Sequence, residues 1–192
     1  MSRCLVNVRS IGQALTLYSD EHKETFPHWS GWHIWDAAES ASPVAGDADG
    51  PAWTELLKPY LDGREVYVDP SRPRDLAPFG YFIQARHTFI RTQRAYTSLR
   101  TAEVNFASAF VLAGDCNNPL LYAAPYGTTN NQPDCDQDDA TQPAVFFTGE
   151  LSAHAGRSNL LFADGHSATH NRYRPESMTW RGDKMIDWAG AQ

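Results

Sequence analysis

The chain contains no run of about 18 apolar residues, the length a helix needs to cross a bilayer, and no N-terminal stretch with the layout of a secretory signal. Positive charge is scarce. Sixteen Lys and Arg stand against 23 Asp and Glu, a formal net charge of −7 with His neutral. Binding to nucleic-acid phosphates is driven by Lys and Arg, so this balance argues against a nucleic-acid partner. The seven His add positive charge only in acid. An acidic surface instead favours divalent cations. No Gly-x-Ser-x-Gly elbow and no Gly-rich phosphate loop is present, which removes two common routes to catalysis. Neither an internal repeat nor a low-complexity tract is visible.

Cysteine is also sparse, with Cys4, Cys116 and Cys135 the only three. Cys116 and Cys135 close a modest loop that a disulfide would suit in an oxidising compartment, leaving Cys4 over. Three free thiols in a reducing compartment is the other reading.

What the chain does hold is enough apolar material for a core: 42% hydrophobic residues, with six Trp, eight Tyr and nine Phe in 192 residues. That length suits one domain with generous loops, 1–192. Cys4, Val8, Ile11, Leu15, Tyr18 and His22 recur at alternating spacings of four and three, which predicts a helix over 2–22 with one apolar face. Gly12 lies off that stripe and costs about 1 kcal/mol relative to Ala. Phe26-Pro27 ends the segment. A lone amphipathic helix needs a broad apolar partner, most simply a sheet.

Trp53 to Leu61 reads as a second, short helix, and Val66-Tyr67-Val68, Phe79 to Ile83, Phe110 to Gly114 and Val145 to Phe147 read as strands. Asn159–Ala163 and His166–His170 flank Asp164-Gly165, a two-residue hairpin signal in which both positions favour φ > 0. One long helix followed by short strands and loops predicts an α+β fold with an antiparallel sheet.

Two segments together carry a family resemblance. Cys4-Leu5-Val6-Asn7-Val8-Arg9-Ser10-Ile11-Gly12-Gln13-Ala14-Leu15, continuing through Tyr18-Ser19-Asp20 to Phe26-Pro27, resembles the second half of the spine helix of pseudopilin-like proteins. His154, nine residues, then Asp164-Gly165 resembles the His-to-Asp-Gly signature of prepilin-type proteins of type II secretion and type IV pilus systems. The resemblance covers most of the chain in order, least well at 28–50 and 117–147. It implies a pilin-like fold and a structural or assembly role without catalysis. The implied partners are other pilin-like subunits or secretion-system components, and the implied place is the periplasmic or extracellular face of a bacterial envelope. It also implies an apolar N-terminal segment that a prepilin peptidase trims and that anchors the subunit in a membrane or filament. The sequence carries neither that segment nor a cleavage motif, so membrane attachment is expected only through the missing part. Many relatives have Cys where this chain has Asp69, in Asp69-Pro70-Ser71, so Cys4 lacks that partner for a disulfide.

Three places could carry chemistry. Asp134, Asp136 and Asp138 alternate in a long polar loop and could converge on calcium, which loop carboxylates hold in major pseudopilins. Asp139 stands where an EF-hand has Gly and no Glu follows at the twelfth position, so a solvated acidic loop is the competing reading. A Cys116–Cys135 bond would pin that loop and lower the cost of gathering its charges. His154, Asp164 and His166, with His170 on the same strand face, could hold a transition metal and support a metal-dependent hydrolase. The preferred reading there is turn chemistry at Asp164-Gly165, with His154 pinning the loop before it. The aromatic stretch Trp29 to Trp35 could stack a glycan or bind a peptide, making the chain a binding module, or could simply serve the core.

Overall fold

The computed structural model describes residues 3–28, 51–71, 80–84, 87–88, 91, 97–115 and 154–185. Trp29 to Trp35, Cys116, Cys135, Asp134, Asp136, Asp138 and the expected strand Val145 to Phe147 lie outside these residues.

The first helix, α1, runs Arg3–Glu21. Its stripe of Cys4, Val8, Ile11, Leu15 and Tyr18 is buried as the periodicity predicts. His22 follows the helix, exposed, with its ring stacked on Tyr18 at a centroid distance of 3.9 Å. Gly12 corrects the expectation, since it is buried. A Cβ there would come within 2.7 Å of Leu161 Cδ1, so its missing side chain lets the helix settle on the sheet.

The sheet has four strands: β1 Tyr81–Ile83, β2 Val111–Asp115, β3 Ser158–Phe162 and β4 Ser167–His170. They pair in the order β1-β2-β3-β4, each antiparallel to its neighbour. The register slips between Val111 and Ala113 at the β2–β3 boundary, the mark of a bulge. α1 lies against β3, β2 and β4. The architecture is therefore α+β, one long helix on an antiparallel sheet. Strands β1, β2 and β3 are buried along their whole length, and β4 is the half-exposed edge.

The hairpin at Asp164-Gly165 forms with a different turn from the expected one. Only Gly165 takes a positive φ, +88°, and Asp164 does not. Gly165 N–H donates to Phe162 O at 2.9 Å, and Phe162 N–H donates to His166 O at 2.9 Å. This is a three-residue loop closed by a glycine bulge rather than a two-residue turn. The Asp164 carboxylate accepts from His166 N–H at 3.1 Å and bonds the ring Nδ1 at 2.6 Å, which explains Asp beside that Gly.

Two local expectations are corrected. The helix from Trp53 breaks after α2, Trp53–Leu56, and resumes as a 3-10 turn, Lys58–Tyr60. Pro59 has no N–H to continue the ladder and its ring crowds the preceding turn. Val66-Tyr67-Val68 is not a strand; Arg64–Tyr67 forms a 3-10 turn. Burial decides it. Tyr67 is fully buried, its hydroxyl donates to Thr54 O at 3.2 Å, and its ring meets Trp53 edge-on at 5.3 Å.

Candidate functional site

Distant segments converge where the start of α1 meets the ends of two apolar runs. Cys4 comes from the first turn of α1, Asp69 and Ser71 from the segment after the 3-10 turn, Asp115 from the end of β2, and His154 from just before β3. The Cys4 thiol donates to Asp69 Oδ1 at 3.1 Å and sits 3.5 Å from Ser71 Oγ. Ser71 N–H donates to the same Oδ1 at 2.8 Å. His154 Nε2 lies 3.2 Å from Asp69 Oδ2 and 3.3 Å from Asp115 Oδ2. Its other ring nitrogen, Nδ1, is 3.3 Å from Ser71 Oγ.

Surrounding residues fix these groups. Asn159 donates to Asp115 Oδ2 twice, from its backbone N–H at 2.7 Å and from Nδ2 at 2.8 Å. Thr169 Oγ1 in turn donates to Asn159 Oδ1 at 2.6 Å, tying the edge strand to the cluster. Asn7, one turn beyond Cys4, donates from Nδ2 to Val68 O and to the Tyr81 hydroxyl, both at 3.1 Å. A Cβ on Gly80 would collide with the Asp69 Cβ, so glycine at 80 is what lets Asp69 come so close.

The electrostatics follow from burial and contacts. Both carboxyl side chains have no exposed area, whereas the His154 ring is 13% exposed. Burial works to raise Asp69, but the ion pair with His154 and the hydrogen bonds from Ser71 and Cys4 outweigh it and hold the carboxyl well below its usual range. Burial dominates at Asp115, which rises to about 7 despite the opposing pull of His154 and Asn159. The bond to Asp69 leads in raising His154 to about 10, so the ring is an imidazolium at neutral pH. A serine, a histidine and carboxylates thus stand in line, yet the ring already carries its proton. A ring so charged donates from Nδ1 to Ser71 Oγ rather than taking that hydroxyl's proton.

His154 does not gather with Asp164 and His166 as the metal reading expected. Among the described residues, the one group of three His, Cys, Asp or Glu side chains with ligand atoms mutually within 4.8 Å is Cys4, Asp69 and His154. Asp164 and His166 bond each other on the exposed hairpin turn, and the His166 ring stacks on Phe162 at 4.2 Å. Sequence reasoning missed Asp115 altogether and treated Cys4 and Asp69 only as partners lost to each other. The available signal was an acidic residue at the end of an apolar run: Asp69 after Val66-Tyr67-Val68, and Asp115 after Phe110–Gly114.

The Cys4–Asp69 contact carries a direct prediction. Asp69→Cys should form a disulfide with Cys4 on oxidation, because the two side chains already meet and a thiol pair removes one buried charge. Peptide mass mapping of this variant without reductant should find the peptide that contains Cys4 joined to the one that contains position 69.

No family model, no curated protein and no solved structure matches this chain.

Proposed function

We infer that this chain is the globular body of a pilin-like subunit that works by assembly in the bacterial cell envelope. The observation that carries the reading is α1 itself. One face packs on an antiparallel sheet, while the face turned away carries Val6, 45% exposed, and Leu17, 50% exposed. Eleven residues apart, the two share one side of the helix, the placement that a second helix packed alongside would bury. The sequence resemblance adds the spine-like helix in first position and the His154 to Asp164-Gly165 spacing near the other end. In this reading the cluster at Cys4, Asp69, Asp115 and His154 fastens the start of the spine to the body.

The test is made in the bacterium that encodes the chain, with the protein expressed from its own gene. It should be found in the envelope or in sheared surface filaments, and should be lost from them when the prepilin peptidase is deleted. Val6→Asp with Leu17→Asp should also remove it from the assembly while the purified domain keeps its melting temperature. A protein that fractionates with the cytosol and ignores loss of the peptidase overturns the reading.

A further inference from the structure

We propose that Cys4, Asp69 and His154, with Asp115 on the fourth side, form a zinc-binding site. The ligand atoms of the first three lie within 4.8 Å of one another. The close donor pairs measure 3.1 Å for Cys4 Sγ to Asp69 Oδ1, 3.2 Å for His154 Nε2 to Asp69 Oδ2, and 3.3 Å for His154 Nε2 to Asp115 Oδ2. A tetrahedral zinc with bonds of about 2.0–2.3 Å has ligand-to-ligand edges of about 3.3–3.7 Å, so small side-chain shifts convert these contacts into a coordination shell.

Three further observations favour a cation at this place. The group sets two fully buried carboxyl groups against a single imidazole, which leaves one carboxylate charge uncompensated away from water when both are ionised. Asp115 Oδ1 is buried and makes no hydrogen bond, although its sister oxygen is bonded twice by Asn159. A buried carboxylate oxygen with no donor is the kind of group a metal ion satisfies. Finally, the surroundings match what metal-bound histidine requires. With Nε2 on the metal, Nδ1–H points at Ser71 Oγ, 3.3 Å away, and fixes the tautomer and ring plane.

The donor set selects the ion. Thiolate and imidazole favour zinc and its transition-metal neighbours over calcium and magnesium, which take oxygen shells. On binding, the thiol proton now donated to Asp69 and the proton at Nε2 leave to solvent, and zinc takes both positions. The site joins α1 to the segment at 69–71, to β2 and to the entry of β3, so it is structural in placement. The His154 edge keeps some exposure, which gives the ion a way in.

The test is titration of the purified, EDTA-stripped and reduced chain with cobalt and then zinc. One cobalt per chain should bind and produce thiolate-to-cobalt charge-transfer absorption, and zinc should displace it. A chain with Cys116→Ser and Cys135→Ser retains Cys4 as its sole thiol and should keep the band. Cys4→Ser should abolish the band and weaken zinc by about 100-fold or more. Ser71→Ala, which removes only the outer partner of the histidine, should weaken zinc by about 10–100-fold and keep the band. The proposal is overturned if the Cys116→Ser, Cys135→Ser chain is folded by circular dichroism and shows no band. It is equally overturned if the band survives Cys4→Ser.

Discussion

Replacing His154 with alanine in metal-free protein is expected to lower the unfolding free energy by about 3–5 kcal/mol, measured by urea titration at pH 7. The ring lies within 3.3 Å of both the Asp69 and Asp115 carboxylates, and removing it strands two acidic groups in the interior. Asp69 keeps its bonds from Cys4 and Ser71, and Asp115 keeps those from Asn159, so the loss is smaller than two bare buried charges would give. Asp115→Asn in the same chain should recover part of it, because the amide needs no counter-charge. A drop under about 1 kcal/mol would show that the ion pairs merely break even against their desolvation.

The pH profile of the parent domain in EDTA follows from the same groups. His154 is raised from 6.5 to about 10 on folding, so its contribution is complete below about 6.5 and disappears as pH rises through 10. Asp115 is raised from 3.8 to about 7, so it favours the fold in acid and loses that contribution as pH climbs through 7. Asp69 is lowered from 3.8, so its contribution is present above 3.8 and is lost only in strong acid. The three together place the greatest stability of the metal-free domain near pH 4, where Asp69 has reached its full contribution and Asp115 has not yet lost its own, with a decline through pH 7 and on toward pH 10. His154→Ala should flatten the alkaline limb. A melting temperature that rises from pH 6 to 9 would contradict this account.

The second large effect is expected at Gly114, where alanine should cost about 3 kcal/mol, the upper end of the overpacking range. A Cβ there would lie 2.7 Å from Asn159 O, 2.8 Å from Leu160 Cδ2 and 3.2 Å from Phe82 Cε1. The first of these is backbone, in the strand whose Asn159 holds Asp115, so relief requires β2 and β3 to move apart. Gly12→Ala makes a useful contrast. Its added atom would come within 2.7 Å of a leucine methyl, the end of a flexible side chain. Alanine also gains about 1 kcal/mol of helix propensity there. Gly12→Ala should therefore cost less than Gly114→Ala, as the urea midpoints of the two variants will show. The reverse order would mean that the helix seat is tighter than the strand pair.

The helix and the hairpin were legible in the sequence because their signals are local. Cys4, Val8, Ile11, Leu15 and Tyr18 state a helical period within a few turns, and Asp164-Gly165 marks a reversal by itself. Gly12 was misjudged because periodicity ranks residues by hydrophobicity, whereas the sheet needed the absence of a side chain opposite Leu161. The stretch at Val66 to Val68 looked strand-like by composition, but the burial of Tyr67 against Trp53 is tertiary and overrode it. The cluster was the least legible part. Cys4 and Asp69 are 65 positions apart and Ser71 and His154 are 83 apart. No short window holds two of its ligands, and the His154 to Asp164 spacing drew attention to residues that the fold keeps apart.

Those long separations have a kinetic consequence. Joining residues 65 and 83 positions apart closes large loops, and that entropy must be met before the contacts return any gain. The cluster joins α1 to the segment at 69–71, to β2 and to the entry of β3, so it is expected to be complete only once those elements have come together, on the native side of the folding barrier. Weakening it leaves the rate of folding nearly unchanged and speeds unfolding, by roughly 10²–10³-fold for a loss of about 3–4 kcal/mol. Its main effect is thus on lifetime. A domain that opens rarely offers few chances to a protease.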